Sequence, residues 1–442
     1  MENRMGTEKM SRLVLSTGIP LMLSLLINSL YNFVDSVFVS RVAEDALTAL
    51  SLAAPVQVLV SALGFGNAVG LNAAISKALG EKKPQEVRKT AEAAIFLAVC
   101  SWVLICIACF AGLHWYFDWQ SGGNEAIAAY GRDYLRICML FSLGQMGQWV
   151  FDRFVIASGK SHLFLFTLSA ASLTNLILDP VFIFGFHMGT RGAAIATVIG
   201  QFMGMFAGIA INRRWNREIP FSFTLHPDLK SAGTILKVGI PSTMVQVLTS
   251  FVTVAMNSIL LAFSSTAVAV YGVCARMMGL CTVGVHGIDN GLIPIVAYNY
   301  GAKKADRVHE SIRFALFFSF VFYAPFLLVL EAAPSMVLRL FNASDNMMRI
   351  GIPAVRLLAF AWLVSIPNLV TASALQGLSL ATPAMVLATL RQAVLPVLLA
   401  AVLRTFHQLP LIWLAFILAE GLCLPLSWLL WNRNRQRVLT SS

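Results

Sequence analysis

Residues 13–39, LVLSTGIPLMLSLLINSLYNFVDSVFV, run for 27 positions with a single charged side chain, Asp35. At 1.5 Å per residue a helix of that length rises about 40 Å, more than the hydrocarbon core of a bilayer requires. Comparable apolar runs follow at 46–75, 91–113, 131–157, 163–186 and 192–211. After a polar interval at 212–232 they resume at 235–261, 267–297, 312–332, 353–375, 383–403 and 410–430. Across 442 residues 58% are apolar and only 12% charged, about half the charge of an average soluble domain. A water-soluble enzyme could not hide that much apolar side chain, and a disordered chain or a small disulfide scaffold would need a different composition. The expected fold is therefore all-α: a polytopic membrane protein with 12 transmembrane helices in two six-helix lobes.

The two lobes repeat one another. A shift of 221 residues lays Gly18-Ile19-Pro20 on Gly239-Ile240-Pro241, Gly66 on Gly287, Gly80 on Gly301, Lys82-Lys83 on Lys303-Lys304 and Val87 on Val308. Each copy has six spans and starts on the same side, so they are parallel repeats related by a pseudo-twofold axis along the membrane normal. The reading gives an N-terminal lobe at 1–211, a cytoplasmic linker at 212–232 and a C-terminal lobe at 233–442, with a cleft between the lobes. Rocking of two such lobes is a means of transport.

The net charge of +11 would suggest nucleic acid in a soluble protein. Here it follows the loops. Every lysine falls on one side, in the N-terminal segment (Lys9), the second connection (Lys77, Lys82, Lys83, Lys89), Lys160, the linker (Lys230, Lys237) and Lys303-Lys304. By the positive-inside rule both termini are cytoplasmic, in a multi-pass cell (inner) membrane protein whose surroundings are lipid rather than nucleic acid. The first span reads as a retained anchor. The seven cysteines all sit in apolar segments, where they read as small hydrophobes rather than redox or zinc groups.

Polar residues inside spans are expensive and mark function by default. Asn28, Asn32 and Asp35 lie at i, i+4 and i+7 on the first span, and Asn175 and Asp179 at i, i+4 on the fifth, so each set makes one stripe on one helix face. Thr197 reaches a comparable depth on the sixth. Two carboxylates, several amides and a hydroxyl at one level would suit a proton or an oxygen-seeking cation such as Na⁺. Weaker intruders are Gln145, Gln148, Trp149 and Asp152 on span 4, which either line the cleft or pack locally with Arg153. Asp289 on span 8 either attracts a cationic substrate or pairs with a basic residue. On span 11, Arg391 is placed to pair with Glu420 of span 12.

Pro20 with Asp35, Asn175-x-x-x-Asp179-Pro180, Thr197 and the two Gly-x-Lys-Lys landmarks together resemble the multidrug and toxic compound extrusion (MATE) transporters. Tyr298-Asn299-Tyr300-Gly301-Ala302-Lys303 resembles the bacterial branch of that family. The resemblance covers nearly the whole chain and implies an antiporter that exports small-molecule organic cations and drugs against H⁺ or Na⁺. It carries the coupling-cation site onto Asp35, Asn175, Asp179 and Thr197, to which the polar stripe of the first span adds Asn28 and Asn32 as support. Pro20, inside the first span, removes a backbone hydrogen bond and reads either as a hinge or, with Pro241, as the tapered cytoplasmic start of its span. Members with C-terminal acids on spans 7 and 10 are not matched: span 7 has Gln246, Thr249, Thr253 and Asn257, and span 10 has Arg356. No phosphate-binding loop and no hydrolase motif is present, so neither an enzyme nor a cofactor is expected, and the chain is expected to act as a monomer. The rival reading is a flippase of a lipid-linked saccharide on the same superfold, which would call for cations in the cleft where acids stand here.

Overall fold

The computed structural model describes residues 4–40, 44–120, 125–339 and 344–440. Within these, the side chains of 30–40, 44–48, 51, 119–120, 250, 265 and 435–440 lie outside the description. Every secondary-structure element among the described residues is a helix, with no strand, and the longest irregular stretch is the linker at 216–228. A short turn, Arg4–Thr7, precedes α1 (Met10–Ser40), α2 (Glu44–Gly80) and α3 (Pro84–Gln120). α4 comes in two pieces, Glu125–Leu140 and Leu143–Ala157. α5 (His162–Pro180) continues as a π-turn at Val181–Gly185, followed by α6 (Gly189–Trp215). The second half holds α7 (Leu229–Leu261), α8 (Ser265–Cys281 and Val283–Gly301), α9 (Ala305–Ala332), the short Pro334–Arg339 and α10 (Asp345–Gly377). α11 is Ala381–Thr389, a π-turn at Leu390–Val394 and Leu395–Arg404, and α12 is Leu409–Thr440.

Ten of these helices are long and apolar enough to cross a membrane, and α8, bent by 54° at its break, makes an eleventh. The twelfth, α4, falls short because it is interrupted at Phe141-Ser142 and carries Arg132, Asp133, Arg136, Asp152 and Arg153. Its first piece starts at Glu125, several residues before the apolar run that announces it.

The helices group into two compact units: Leu23–Thr243, and Met1–Met22 together with Met244–Ser442. The division runs through α1 and α7 rather than through the linker. In the first unit the start of α7 lies against α2: a Cβ on Gly239 would stand 2.9 Å from the Gly66 carbonyl oxygen, and Thr243 Oγ1 donates to the Ala62 carbonyl at 3.1 Å. In the second unit the start of α1 lies against α8 in the same way, since a Cβ on Gly287 would stand 2.9 Å from the Gly18 carbonyl oxygen. Gly18, Gly66, Gly239 and Gly287 are thus the two sides of one crossing, built twice. Any side chain there would force the backbones apart.

The basic landmarks are helix stops. After α2, the Lys82 amide donates to Leu79 and the Lys83 amide to Ala78; after α8, Lys303 donates to Tyr300 and Lys304 to Asn299. Lys82 (φ 57°) and Lys303 (φ 59°) hold the left-handed position of this Schellman cap, which satisfies carbonyls the helix end would leave orphaned. Gly159 after α4 and Ser379 after α10 repeat the arrangement at φ 81° and 61°. The tyrosine-rich motif ending α8 also anchors the chain's start. Asn299 Nδ2 donates to the Met5 carbonyl at 3.1 Å and Lys304 Nζ to the Gly6 carbonyl at 2.9 Å. Asp228 caps α7, accepting from the Ser231 amide at 2.8 Å and its hydroxyl at 2.7 Å. Those bonds, with Lys89 and Lys230 nearby, hold its carboxyl below the usual Asp range.

Candidate functional site

α6 positions the polar residues of the first unit. Gly192, Ala196, Gly200, Gly204 and Gly208 recur every four residues on one buried face, a small-residue ladder of the kind that lets membrane helices pack closely. A Cβ on Gly200 would stand 2.8 Å from the Ala171 carbonyl and 3.1 Å from the Asn175 Cβ; one on Gly208 would meet Phe151 at 2.8 Å. The ladder ends in two amides: Asn212 donates to the Phe151 carbonyl at 2.9 Å and Asn216 to that of Phe154 at 3.0 Å. α6 is thereby locked to both α4 and α5. Sequence reasoning passed over this ladder, although its four-residue spacing was there to be read.

That seam brings three of the expected site residues together. Asn175 Nδ2 donates to Asp179 Oδ1 and to Thr197 Oγ1, each at 3.3 Å. Asn175 is 2% exposed and Asp179 fully buried, while the Asn175 carbonyl oxygen is buried with no hydrogen-bond partner. Just beyond Asp179, Pro180 leads into the π-turn, an irregularity often found at functional sites. An acid, an amide oxygen and a hydroxyl make an oxygen-rich donor set that fits a proton or a hard cation. Asn28 is partly buried on α1 within the same unit. The Asn32 and Asp35 side chains lie outside the described residues. Pro20 lies inside α1.

The span 4 residues come together in the interior of the same unit. Asp152 is 4% exposed and accepts from the Thr167 hydroxyl of α5 at 2.5 Å, while Gln148 packs on α6, its Cδ 2.6 Å from where a Cβ on Gly204 would sit. Gln145 Nε2 donates to Ser61 of α2 at 3.2 Å. The Arg153 guanidinium lies 5.7 Å from the Trp149 ring centroid and 6.0 Å from that of Phe65. Asn72 of α2 is fully buried with neither polar side-chain atom hydrogen-bonded. It occurs in an unremarkable run of small residues and was not foreseen. Asp289 belongs to the second unit, its Oδ1 buried without a hydrogen-bond partner, and in the same unit Arg391 pairs with Glu420 at 2.7 Å. Among the described residues no cluster of three His, Cys, Asp or Glu side chains could hold a metal.

Helices of spanning length, the doubled glycine crossing and buried polar groups at helix irregularities define a polytopic all-α membrane protein built from two repeats. The sequence model of the MatE family matches it twice, at residues 20–181 and 241–402, two segments offset by the same 221 residues as the internal repeat. The chain belongs to the MatE family. It is 23% identical over 409 residues to the multidrug export protein MepA of Staphylococcus haemolyticus (strain JCSC1435), covering 92% of this chain and 90% of that one. It is 22% identical over 412 residues to MepA of Staphylococcus aureus (strain MSSA476), with the same coverage. Its fold superposes with a TM-score of 0.92 on an outward-facing multidrug resistance MATE family transporter of the MOP superfamily, at 20% identity and over 99% of both chains.

Proposed function

We propose that this protein is a cation-coupled antiporter that exports drugs and organic cations by alternating access, as a monomer in the cell membrane with both termini cytoplasmic. The observation that carries the reading is the buried Asp179–Asn175–Thr197 group at the α5–α6 seam, with Asp35 assigned to the same site from its position in the polar stripe of α1. The names borne by the MepA relatives support the substrate class. Entry of H⁺ or Na⁺ at these acids favours one orientation and substrate the other, so exchange follows from differential affinity for the two states. Anionic pyrophosphate, the cargo a saccharide flippase would handle, is poorly matched to this acidic group.

The test is efflux of a fluorescent cationic dye from everted vesicles, under a pH gradient alone and then a Na⁺ gradient alone. One of the two gradients drives efflux in the wild type and neither does in Asp179→Asn. Dye movement that ignores both gradients overturns the reading.

A further inference from the structure

The repeat matches the α11–α12 seam of the second unit to the α5–α6 seam of the first, yet the chemistry differs. At the 221-residue offset Asn175, Asp179 and Thr197 become Pro396, Ala400 and Leu418, none with a polar side chain. The second seam carries charges of its own instead. Arg391 lies in the π-turn of α11, and its Nη1 donates to Glu420 Oε1 of α12 at 2.7 Å, the two side chains being 4% and 12% exposed.

The oxygens around this pair are already engaged. Asn368 of α10 is fully buried, and its Nδ2 donates to Glu420 Oε2 at 2.8 Å and to the Glu420 backbone carbonyl at 3.0 Å. Its own Oδ1 accepts from the Ser427 hydroxyl at 2.6 Å. Glu420 thus has a donor on each carboxylate oxygen, one of them a full positive charge. In the first unit the amide oxygen of Asn175 is buried and unpartnered; in the second the amide oxygen of Asn368 is closed off. A metal ion needs several free oxygens to replace its water, and here none is left over from the carboxylate or the amide.

The pair is balanced in charge as well. A guanidinium does not give up its proton in a protein, and this one is held by the main chain, so it neither titrates nor diffuses away. Arg391 and Glu420 also line a cavity of about 60 Å³, with Trp362, Ser365 and Phe416 among its other walls. Arg391 Nε is buried without a partner. The cavity leaves room beside the pair for a few small polar atoms.

We propose that Arg391 is a tethered cation, a guanidinium built in where a mobile cation would otherwise neutralise Glu420, so that this carboxylate is closed to H⁺ and Na⁺. Cutting the guanidinium away converts Glu420 into a site for a small monovalent cation, and for guanidinium derivatives above all. That the driving ion enters the first unit alone rests on the export reading; the tethered cation does not.

Thermal melting of full-length Arg391→Ala, purified into lipid nanodiscs, tests it without any transport. Ethylguanidinium replaces the deleted atoms, and ethylurea is its uncharged near-isostere. The variant should melt below the wild type, and millimolar ethylguanidinium should restore about half of the loss or more, as a ligand of the native state does. Ethylurea should restore none of it, and the wild type should respond to neither. Equal recovery with both solutes, or recovery with neither, overturns the proposal. If Arg391→Ala does not fold, Arg391→Lys and Arg391→Gln decide, because lysine keeps the charge and glutamine only a hydrogen-bond donor. Arg391→Lys should melt near the wild type and Arg391→Gln well below it; a glutamine variant as stable as the lysine one overturns the proposal. Infrared difference spectra, acid minus alkaline, check that Glu420 is closed. The carboxyl band of the wild type should persist unchanged in the double variant Arg391→Met with Glu420→Leu, and a loss of intensity there would show Glu420 exchanging a proton.

Discussion

The Asn175 amide nitrogen stands 3.3 Å from Thr197 Oγ1 across the α5–α6 seam, and the same nitrogen reaches Asp179 Oδ1 one turn along its own helix at 3.3 Å. One NH₂ group has two hydrogens, so both bonds form at once. Its use as a donor turns the Asn175 carbonyl oxygen to a buried place where no protein group meets it. The acid is thus oriented by an amide which is itself fixed by a hydroxyl on the next helix.

Removing that amide should loosen the acid without unfolding the helix pair. A hydrogen bond to a charged group is worth about 1.5–3 kcal/mol. Asn175→Ala should therefore weaken apparent affinity for the driving cation about tenfold or more, while Asp179→Asn should bring dye efflux down to empty-vesicle background. Efflux measured against driving-cation concentration checks both. An Asn175→Ala curve that overlays the wild type would remove the amide from the site.

The glycine crossings make a sharper structural forecast. Gly287 has the Met22 amide nitrogen 2.7 Å from where a Cβ would sit, whereas Gly112 of α3 has nothing within 4 Å. Gly287→Val should lower stability by at least about 1–3 kcal/mol, as overpacking does, and Gly112→Ala should be neutral or mildly stabilising. Thermal melting of the two purified variants decides the matter, and equal effects would mean that the close crossing is not what these glycines serve.

These same residues show what the sequence made legible. Gly18, Gly66, Gly239 and Gly287 stood out because the repeat places each at a 221-residue spacing, although their meaning as two faces of one crossing needed the packing. The stripes on α1 and α5 were readable because i, i+4 spacing is local. Asn368, Glu420 and Ser427 were not grouped, since they come from α10 and α12 and no spacing in the chain announces that Asn368 meets Glu420 at 2.8 Å. Arg391 and Glu420 could be paired in advance because two opposite charges on neighbouring apolar spans have few alternatives. The start of α4 at Glu125 is hidden because Glu125, Arg132, Asp133 and Arg136 interrupt the apolar pattern at that end, so hydropathy marks only the run at 131–157.

The left-handed caps can be improved. Ser379 holds φ 61° after α10, where the repeat's counterpart after α4 is Gly159 at φ 81°. An L-residue in that conformation costs about 1 kcal/mol that glycine avoids. Ser379→Gly should therefore raise the melting temperature, an unusual direction for a change to glycine. A lowered one would show that the hydroxyl contributes more than the backbone strain removes.

The cap of α7 carries a pH signature. Asp228 is held below its ordinary value of 3.8 chiefly by the Ser231 hydroxyl and amide. Its folded value lies under its unfolded one, so its contribution is present at pH above the unfolded value and is lost as pH falls through the folded one. Asp228→Asn keeps an acceptor for the helix start but cannot titrate. Its melting temperature should fall less steeply with acid than that of the wild type, and parallel acid limbs would contradict the assignment.

The Arg391–Glu420 pair, finally, should punish removal of one partner more than removal of both. At 2.7 Å, with side chains 4% and 12% exposed, it is an interior ion pair, and stripping one member leaves the other charge buried alone. Glu420→Gln should lower stability by about 3–5 kcal/mol. Replacing the pair together, Arg391→Met with Glu420→Leu, removes both charges and fills similar volume, a change often neutral in other buried pairs. Asn368 keeps part of its bonding in that variant, because its Nδ2 also reaches the Glu420 backbone carbonyl at 3.0 Å and its Oδ1 still accepts from Ser427. A thermal-melting cycle over the two single variants and the double one measures the coupling. If the double variant melts at the sum of the single losses, the two charges do not act as a pair.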